Sequence, residues 1–324
     1  METPDFLSTA FHVTTCLELP IHVFGAYCIL FKTPGLMNSV KWTMFNVFFS
    51  SAMMDFLLSF FLGPFIIFPV IAGFPVGILE STGLSVPFMA YLMLSVMAAV
   101  GIAILIFFES RYSLLFARNH WWQHYRIGFI VANYVAGFTV SIPLFSNIPG
   151  QEEAIRDMFE VIPNLPASLL DHPICVLSVG VDYPLLLLII FTASLVFEVL
   201  FFVILLIRSM NKRREEAKIS KRTFDLQKKL IRAMHVQVCT PMLIILGPLN
   251  YFAYSIVFSY YNQIFNNFCL IVMTFHGVLS TIMMLIIHQP YRDYCISLLS
   301  SNVQKKDSEV IGKKRCSSVV SIHL

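Results

Sequence analysis

The residues with the most evident chemistry are Glu109-Ser110-Arg111-Tyr112, which close a stretch from Pro87 to Phe108 that holds no ionisable side chain. A carboxylate beside an arginine can hold it or release it to another helix. A buried pair of this kind makes a two-state element, because breaking it is costly unless a new partner takes over. The plainer alternative is an anchor that fixes a helix end at a lipid interface.

Other ionisable groups lie inside apolar stretches, where each is costly and asks for a partner or a role. Asp55 stands about halfway through one stretch, and His276 or Ser280 in a later stretch lies at similar depth as its candidate partner. Asp55 is either a protonation-sensitive element or a hydrogen-bonded packing residue. Glu198, and Glu18 with His22, read as internal pairs or as side chains reaching towards an interface. His120 and His124 stand four apart in HWWQH, but further ligands are missing nearby, so no metal site is expected.

Helices must position these groups. Of 324 residues 57% are hydrophobic, 31 are Phe and only 13% are charged, a balance that an ordinary water-soluble globule cannot keep covered. Seven apolar windows fall near 13–31, 44–70, 87–108, 127–148, 183–207, 235–261 and 264–287. At about 1.5 Å per residue, 87–108 reaches about 33 Å, enough to cross a bilayer core. Continuous runs of this length exclude a β-barrel. The expected fold is therefore an all-α membrane protein, a seven-transmembrane helix bundle over residues 1–300. A short membrane-surface helix follows span seven, and residues 301–324 form a disordered cytoplasmic tail. With Glu2 and Asp5 and no basic n-region at the start, the first span reads as its own insertion signal.

Lysine and arginine resist translocation and set the orientation. Ten of the 22 lie between spans five and six, while Arg156 alone lies between spans four and five, among Glu152, Glu153, Asp157, Glu160 and Asp171. The N-terminus is thus expected outside and the C-terminus inside. Trp42, Trp121 and Trp122 fall at the inner ends of spans, as headgroup anchors do. The segment 208–232 carries a net charge of +7 and suits anionic lipid. Arg208, Lys212, Arg213, Arg214, Lys228, Lys229 and Arg232 also offer a docking surface on the cell side, with Phe224, Leu230 and Met234 spaced for a helical extension of span six.

Among the seven cysteines, Cys16 and Cys175 are placed to reach the outer, oxidising side and are candidates for a disulfide. Cys295 follows span seven on a helical face with Tyr291, Leu298 and Leu299, and is a candidate for palmitoylation. Tyr91, Met93, Tyr183, Tyr251, Tyr254 and Phe258, towards the outer ends of spans three, five and six, are the candidate lining of a mostly apolar pocket. A stripe of aromatics and methionines is more often packing. No basic residue stands in the outer half, which favours a neutral or volatile ligand.

On IHVFGAYCILFKTPGLMNSVKW (21–42), Asp55, FFESRY (107–112) and HQPYRD (288–293), the chain resembles, over nearly its whole length, a nematode chemoreceptor of serpentine receptor class H. Members typically show Glu-Asn-Arg and His-Lys-Pro-Tyr-Arg at the last two places. Ser110 and Gln289 depart from that pattern here, with Glu109, Arg111, Pro290 and Tyr291 intact. The resemblance implies a multi-pass G-protein-coupled receptor of the plasma membrane, in the cilia of sensory neurons, that detects environmental small molecules through a heterotrimeric G protein. Glu109, Arg111, Tyr112, Asp55, His276, Pro290 and Tyr291 are then its switch elements. A carboxylate at the depth of Asp55 resembles the sodium-linked acid of many seven-helix receptors, and no other cofactor is expected. Membrane lipid and a second receptor copy are further candidate partners. The rival readings are a seven-helix ligand-gated channel and a transporter, but internal repeats are missing. Enzyme motifs and nucleic-acid modules are missing too.

Overall fold

The computed structural model describes residues 2–116, 121–163, 165–166, 169, 171–179, 183–215, 220–298 and 300. The expected tail 301–324, together with His120, lies outside the described residues. Seven helical segments are long and apolar enough to cross a membrane: Pro4–Phe31, Val40–Leu62, Val86–Phe116, Trp122–Ser146, Leu185–Glu215, Met234–Phe258 and Gln263–Ile287. The chain is a seven-helix bundle.

Helix α1 (Pro4–Phe31) starts nine residues before the expected span. Thr3 accepts a hydrogen bond from the Phe6 amide, Pro4 supplies a preset φ, and Asp5 sits in the first turn, which together make a strong helix start. Glu18 and His22 do not interrupt it, because both point inward and are buried. Helix α2 (Asn38–Phe56) continues into a wide π turn, Leu57–Leu62, and stops at Gly63, whose φ of +51° suits glycine.

Beyond Gly63 the structure departs from the expected second span. Residues 64–70 are not helix: β1 (Pro64–Ile67) turns into β2 (Ile71–Pro75), and β3 (Cys175–Ser178) adds to β2, all antiparallel. Two prolines flanking a β-branched and aromatic run favour extended chain over helix. Phe65 and Phe74, opposite one another in the register, stack at 5.0 Å. Gly73 is needed here, because a Cβ would collide with the Phe65 carbonyl.

Helix α3 (Val86–Phe116) runs two turns past the expected end at Phe108, so Glu109 and Arg111 lie within it. The fourth span breaks into α4 (Trp122–Thr139) and α5 (Ile142–Ser146), with Pro143 in the first turn of α5. Amphipathic α6 (Gln151–Val161) buries Ala154 and Met158 and exposes Glu152, Glu153 and Arg156. Helices α7 (Tyr183–Glu215) and α8 (Lys221–Phe258) extend well beyond the expected spans towards 208–232, and Phe224 and Met234 are buried on α8. The seventh span is two helices, α9 (Gln263–Thr274) and α10 (His276–Ile287), broken at Phe275. A last helix, α11, covers residues 289–298.

The sheet and α6 cap one end of the bundle, here called the sheet end. Gln263 and Asn266 of α9 donate to the Ile66 and Phe68 carbonyls at 3.1 and 3.2 Å, and Ser8 of α1 donates to Val76 at 3.3 Å. Gln151 of α6 exchanges hydrogen bonds with the Val176 backbone at 3.1 and 2.9 Å. One hydrophobic core runs from this cap to Tyr291. A smaller one, Leu206, Met210, Phe224 and Ile231, joins α7 to α8 at the opposite, basic end.

The expected Cys16–Cys175 bridge is not formed. Cys16 is a free, exposed thiol three turns into α1, whereas Cys175 is a free thiol held in β3 by the sheet.

Candidate functional site

Two of the buried carboxylates, Glu109 and Asp55, organise the interior, and the partners expected from the sequence, Arg111 for the first and His276 or Ser280 for the second, are replaced by others. Glu109, fully buried on α3, does not hold Arg111. Its two oxygens accept from Arg126 Nε at 3.0 and 2.9 Å and from Trp122 Nε1 at 2.8 Å. Trp122 and Arg126 stand four apart on α4, which puts them on one helix face. That spacing was the readable signal for the partner. The adjacent-pair expectation fails because Glu109 and Arg111, two apart, point to different sides of a helix.

Arg111 is therefore released from Glu109 in this structure. It is only 7% exposed, and its Nε and Nη2 make no hydrogen bond among the described residues. Nearby, His288 Nε2 meets Gln237 Oε1 at 2.8 Å, which ties the end of α10 to α8. Burial first, and then the Arg111 charge, lower the His288 pKa to about 4, so the ring is neutral and does not repel the guanidinium. Tyr112 packs against Phe202 of α7 and Phe116 of its own helix. Tyr291 is fully buried, and its hydroxyl lies 2.7 Å from Thr33 Oγ1, linking α11 to the end of α1. Pro290 begins that helix beside it.

Asp55, also fully buried, meets neither the His276 side chain nor Ser280. Its Oδ1 accepts from the Gly277 amide at 2.9 Å and its Oδ2 from the Val278 amide at 2.8 Å. The break at Phe275 frees the first amides of α10, and a carboxylate from α2 caps them, where the helix dipole favours negative charge. His22 Nε2 lies 3.2 Å from Oδ2, and Thr281 Oγ1 lies 3.3 Å from His22 Nδ1. One turn along α1, Glu18 Oε2 accepts from Ser59 at 2.8 Å, and Ser59 lies 2.9 Å from the Thr15 hydroxyl. The sequence placed Glu18 and His22 apart from Asp55; the structure puts all three in one polar cluster joining α1, α2 and the α9–α10 break. Gly277 is the residue that sequence reasoning missed, for a Cβ there would stand 2.5 Å from Asp55 Oδ2 and 2.7 Å from the Ser51 carbonyl.

A sodium ion at Asp55 does not fit this donor set. A hard cation needs several oxygen ligands, and both Asp55 oxygens face N–H donors. Among the described residues no group of three His, Cys, Asp or Glu is placed to hold a metal ion.

The candidate pocket residues divide. Tyr91 donates to the Phe138 carbonyl at 3.0 Å, and Tyr251 donates to the Asn262 carbonyl at 3.3 Å. Met93 is half-buried on α3. Tyr183, Tyr254 and Phe258 are exposed on the outside of the bundle, so they do not line its interior. At the basic end Arg208, Lys212, Arg214, Lys228, Lys229 and Arg232 are exposed. Arg213 lies over the Phe116 ring at 4.7 Å and Arg214 over Phe224 at 4.6 Å. Lys221, Arg222, Asp225 and Lys229 line an open groove there. Cys295 is half-buried, and that burial raises its thiol pKa.

A family model described as serpentine type 7TM GPCR chemoreceptor Srh matches residues 2–301. The chain is also 24% identical over 310 residues to serpentine receptor class H-72 of Caenorhabditis elegans, which covers 91% of this chain and 85% of that protein.

Proposed function

The chain belongs to the Srh family of serpentine seven-transmembrane chemoreceptors, and on that premise we propose that it binds an environmental small molecule and activates a heterotrimeric G protein. In this reading the sheet end faces outside and the basic end faces the cell interior, as the lysine and arginine distribution favours. The observation that carries it is Arg111. A buried guanidinium with two nitrogens unpaired among the described residues, at the end where α7 and α8 present their cationic surface, is ready for a new partner rather than engaged by an old one. Ligand binding would then part α7 and α8 at the basic end, exposing Arg111 and the 208–232 surface by shifting an existing equilibrium. Ciliary placement, palmitoylation of Cys295 and pairing with a second receptor belong to the same proposal.

The test is a second-messenger assay in cells carrying the receptor, screened against a panel of neutral odorants. Arg111→Ala should abolish the response while leaving surface expression intact. A ligand-gated current in cells that lack G proteins would replace this reading with the channel.

A further inference from the structure

The polar cluster between α1, α2 and the α9–α10 break has more hydrogen-bond contacts than its ordinary protons can fill. Glu18 Oε2 lies 2.8 Å from Ser59 Oγ, Ser59 Oγ lies 2.9 Å from Thr15 Oγ1, and Thr15 Oγ1 lies 2.9 Å from the Phe11 carbonyl. Each contact needs one hydrogen, and the two hydroxyls bring one apiece. A proton on Glu18 supplies the third, and the chain then donates in one direction, from Glu18 to Ser59 to Thr15 to Phe11.

The same shortfall recurs one turn along α1. Thr281 Oγ1 lies 2.8 Å from the Gly277 carbonyl and 3.3 Å from His22 Nδ1, and His22 Nε2 lies 3.2 Å from Asp55 Oδ2. A hydroxyl and a neutral imidazole again bring one hydrogen apiece to three contacts. The missing proton sits between His22 and Asp55. With both protons in place the cluster carries no net charge.

The surroundings of Glu18 favour that neutral state. Glu18 is fully buried, and its other oxygen, Oε1, has no hydrogen-bond partner among the described residues. Thr274 of α9 faces it but donates to the Ile271 carbonyl at 2.8 Å. Helix α1 packs here on α2, the π turn, α9 and α10. The titratable groups facing Glu18 are His22 of its own helix and Asp55 of α2; the π turn brings none, α9 only Cys269 and α10 only His276. Among the described residues no lysine or arginine pairs with the cluster. An ionised Glu18 would be a bare charge in an apolar interior, where a carboxyl group takes up a proton instead. A polar track leads to it from the sheet end: Gln263, Asn267 and Thr274 are buried on one face of α9, and Gln263 donates to Asn267 Oδ1 at 2.8 Å.

We infer that Glu18 is a proton-binding site, a neutral carboxylic acid that exchanges its proton with the medium at the sheet end along α9 and, while protonated, holds α1 against the π turn that leads into the hairpin. The test is infrared spectroscopy of full-length receptor in nanodiscs at neutral pH, with isotope-labelled side-chain carboxyl groups on glutamate. Glu198 of α7 is half-buried, so the background is Glu198→Gln; Glu109 has Arg126 as its counter-ion. A labelled carbonyl band of a protonated acid is expected in that background and should vanish when Glu18→Gln is added. Its absence from the background, or its survival in the double variant, overturns the site. Should the double variant not fold, the background alone decides. In heavy water the band shifts, and Asn267→Leu should slow that shift severalfold; an unchanged rate overturns the route along α9. As pH rises and the proton is lost, hydrogen exchange across residues 64–75 should quicken more in the wild type than in Glu18→Gln, and equal quickening overturns the hold on the hairpin.

Discussion

Asp55 and Glu109 are equally buried, yet they are held by opposite means. Glu109 has a full counter-charge in Arg126 and an indole donor, both on the neighbouring helix α4. Among the described residues no lysine or arginine stands beside Asp55; it is held by two backbone amides at a helix break and by His22. The first arrangement is a strut between two unbroken helices. Moving it means separating charges in a low dielectric, which is steep. The second is a joint, because the amides it caps exist as free donors only while α9 and α10 are broken at Phe275. A receptor that changes shape needs both, a fixed frame in α3 and α4 and a place where span seven can bend.

On that division the strut is the more costly to break. Arg126→Ala leaves a buried carboxylate without its cation, and Arg126 keeps some solvent contact, so the loss is expected at the lower end of about 3–5 kcal/mol. It would be read as a fall in the thermal midpoint of the nanodisc-bound receptor. Glu109→Gln in the Arg126→Ala background should recover part of that loss, since it removes the orphaned charge; no recovery would mean that the pair is not coupled. Asp55→Ala comes next: it orphans two amides, each at the lower end of about 1–3 kcal/mol because water can enter the space the carboxylate leaves, about 2 kcal/mol together. Its signature is local: hydrogen exchange should quicken at Gly277 and Val278 and stay unchanged on α4. Uniform quickening across the bundle would deny the joint.

Gly277→Ala sharpens the same point, because it keeps every charge and adds one methyl group. With the new Cβ only 2.5 Å from Asp55 Oδ2, α2 and α10 must move apart, at about 1–3 kcal/mol. Wild-type stability and wild-type exchange at Val278 would show that the close approach is unimportant.

The difference between strut and joint also explains what could be read from the sequence. The seven spans were legible because uncharged runs of twenty residues have few other uses, and Glu109 and Arg111 were visible as charges ending one of them. Arg126 and Trp122 were within reach, since their spacing puts them on one face of α4. The partners of Asp55 were not, because they are backbone amides, present in every residue and made available only by a tertiary break without a proline to announce it. The hairpin at Phe65–Phe74 was hidden for a related reason. Its residues are as apolar as a membrane helix, and only Gly63, Pro64 and Pro69 hinted that the helix had already ended.

The smallest expected effect lies where the frame meets the basic end. Tyr291 is buried with its hydroxyl 2.7 Å from Thr33 Oγ1, and Thr33 also donates to the Ile29 carbonyl at 2.5 Å. Tyr291→Phe therefore removes one hydrogen bond and keeps the ring packing. Thr33 retains a partner, so the loss should be about 1 kcal/mol. The bond joins α11 to α1 and touches neither carboxylate. Tyr291→Phe combined with Arg126→Ala should then be additive within about 0.5 kcal/mol. A coupling clearly larger than that would place Tyr291 and the strut in one network and erase the separation between a rigid frame and its attachments.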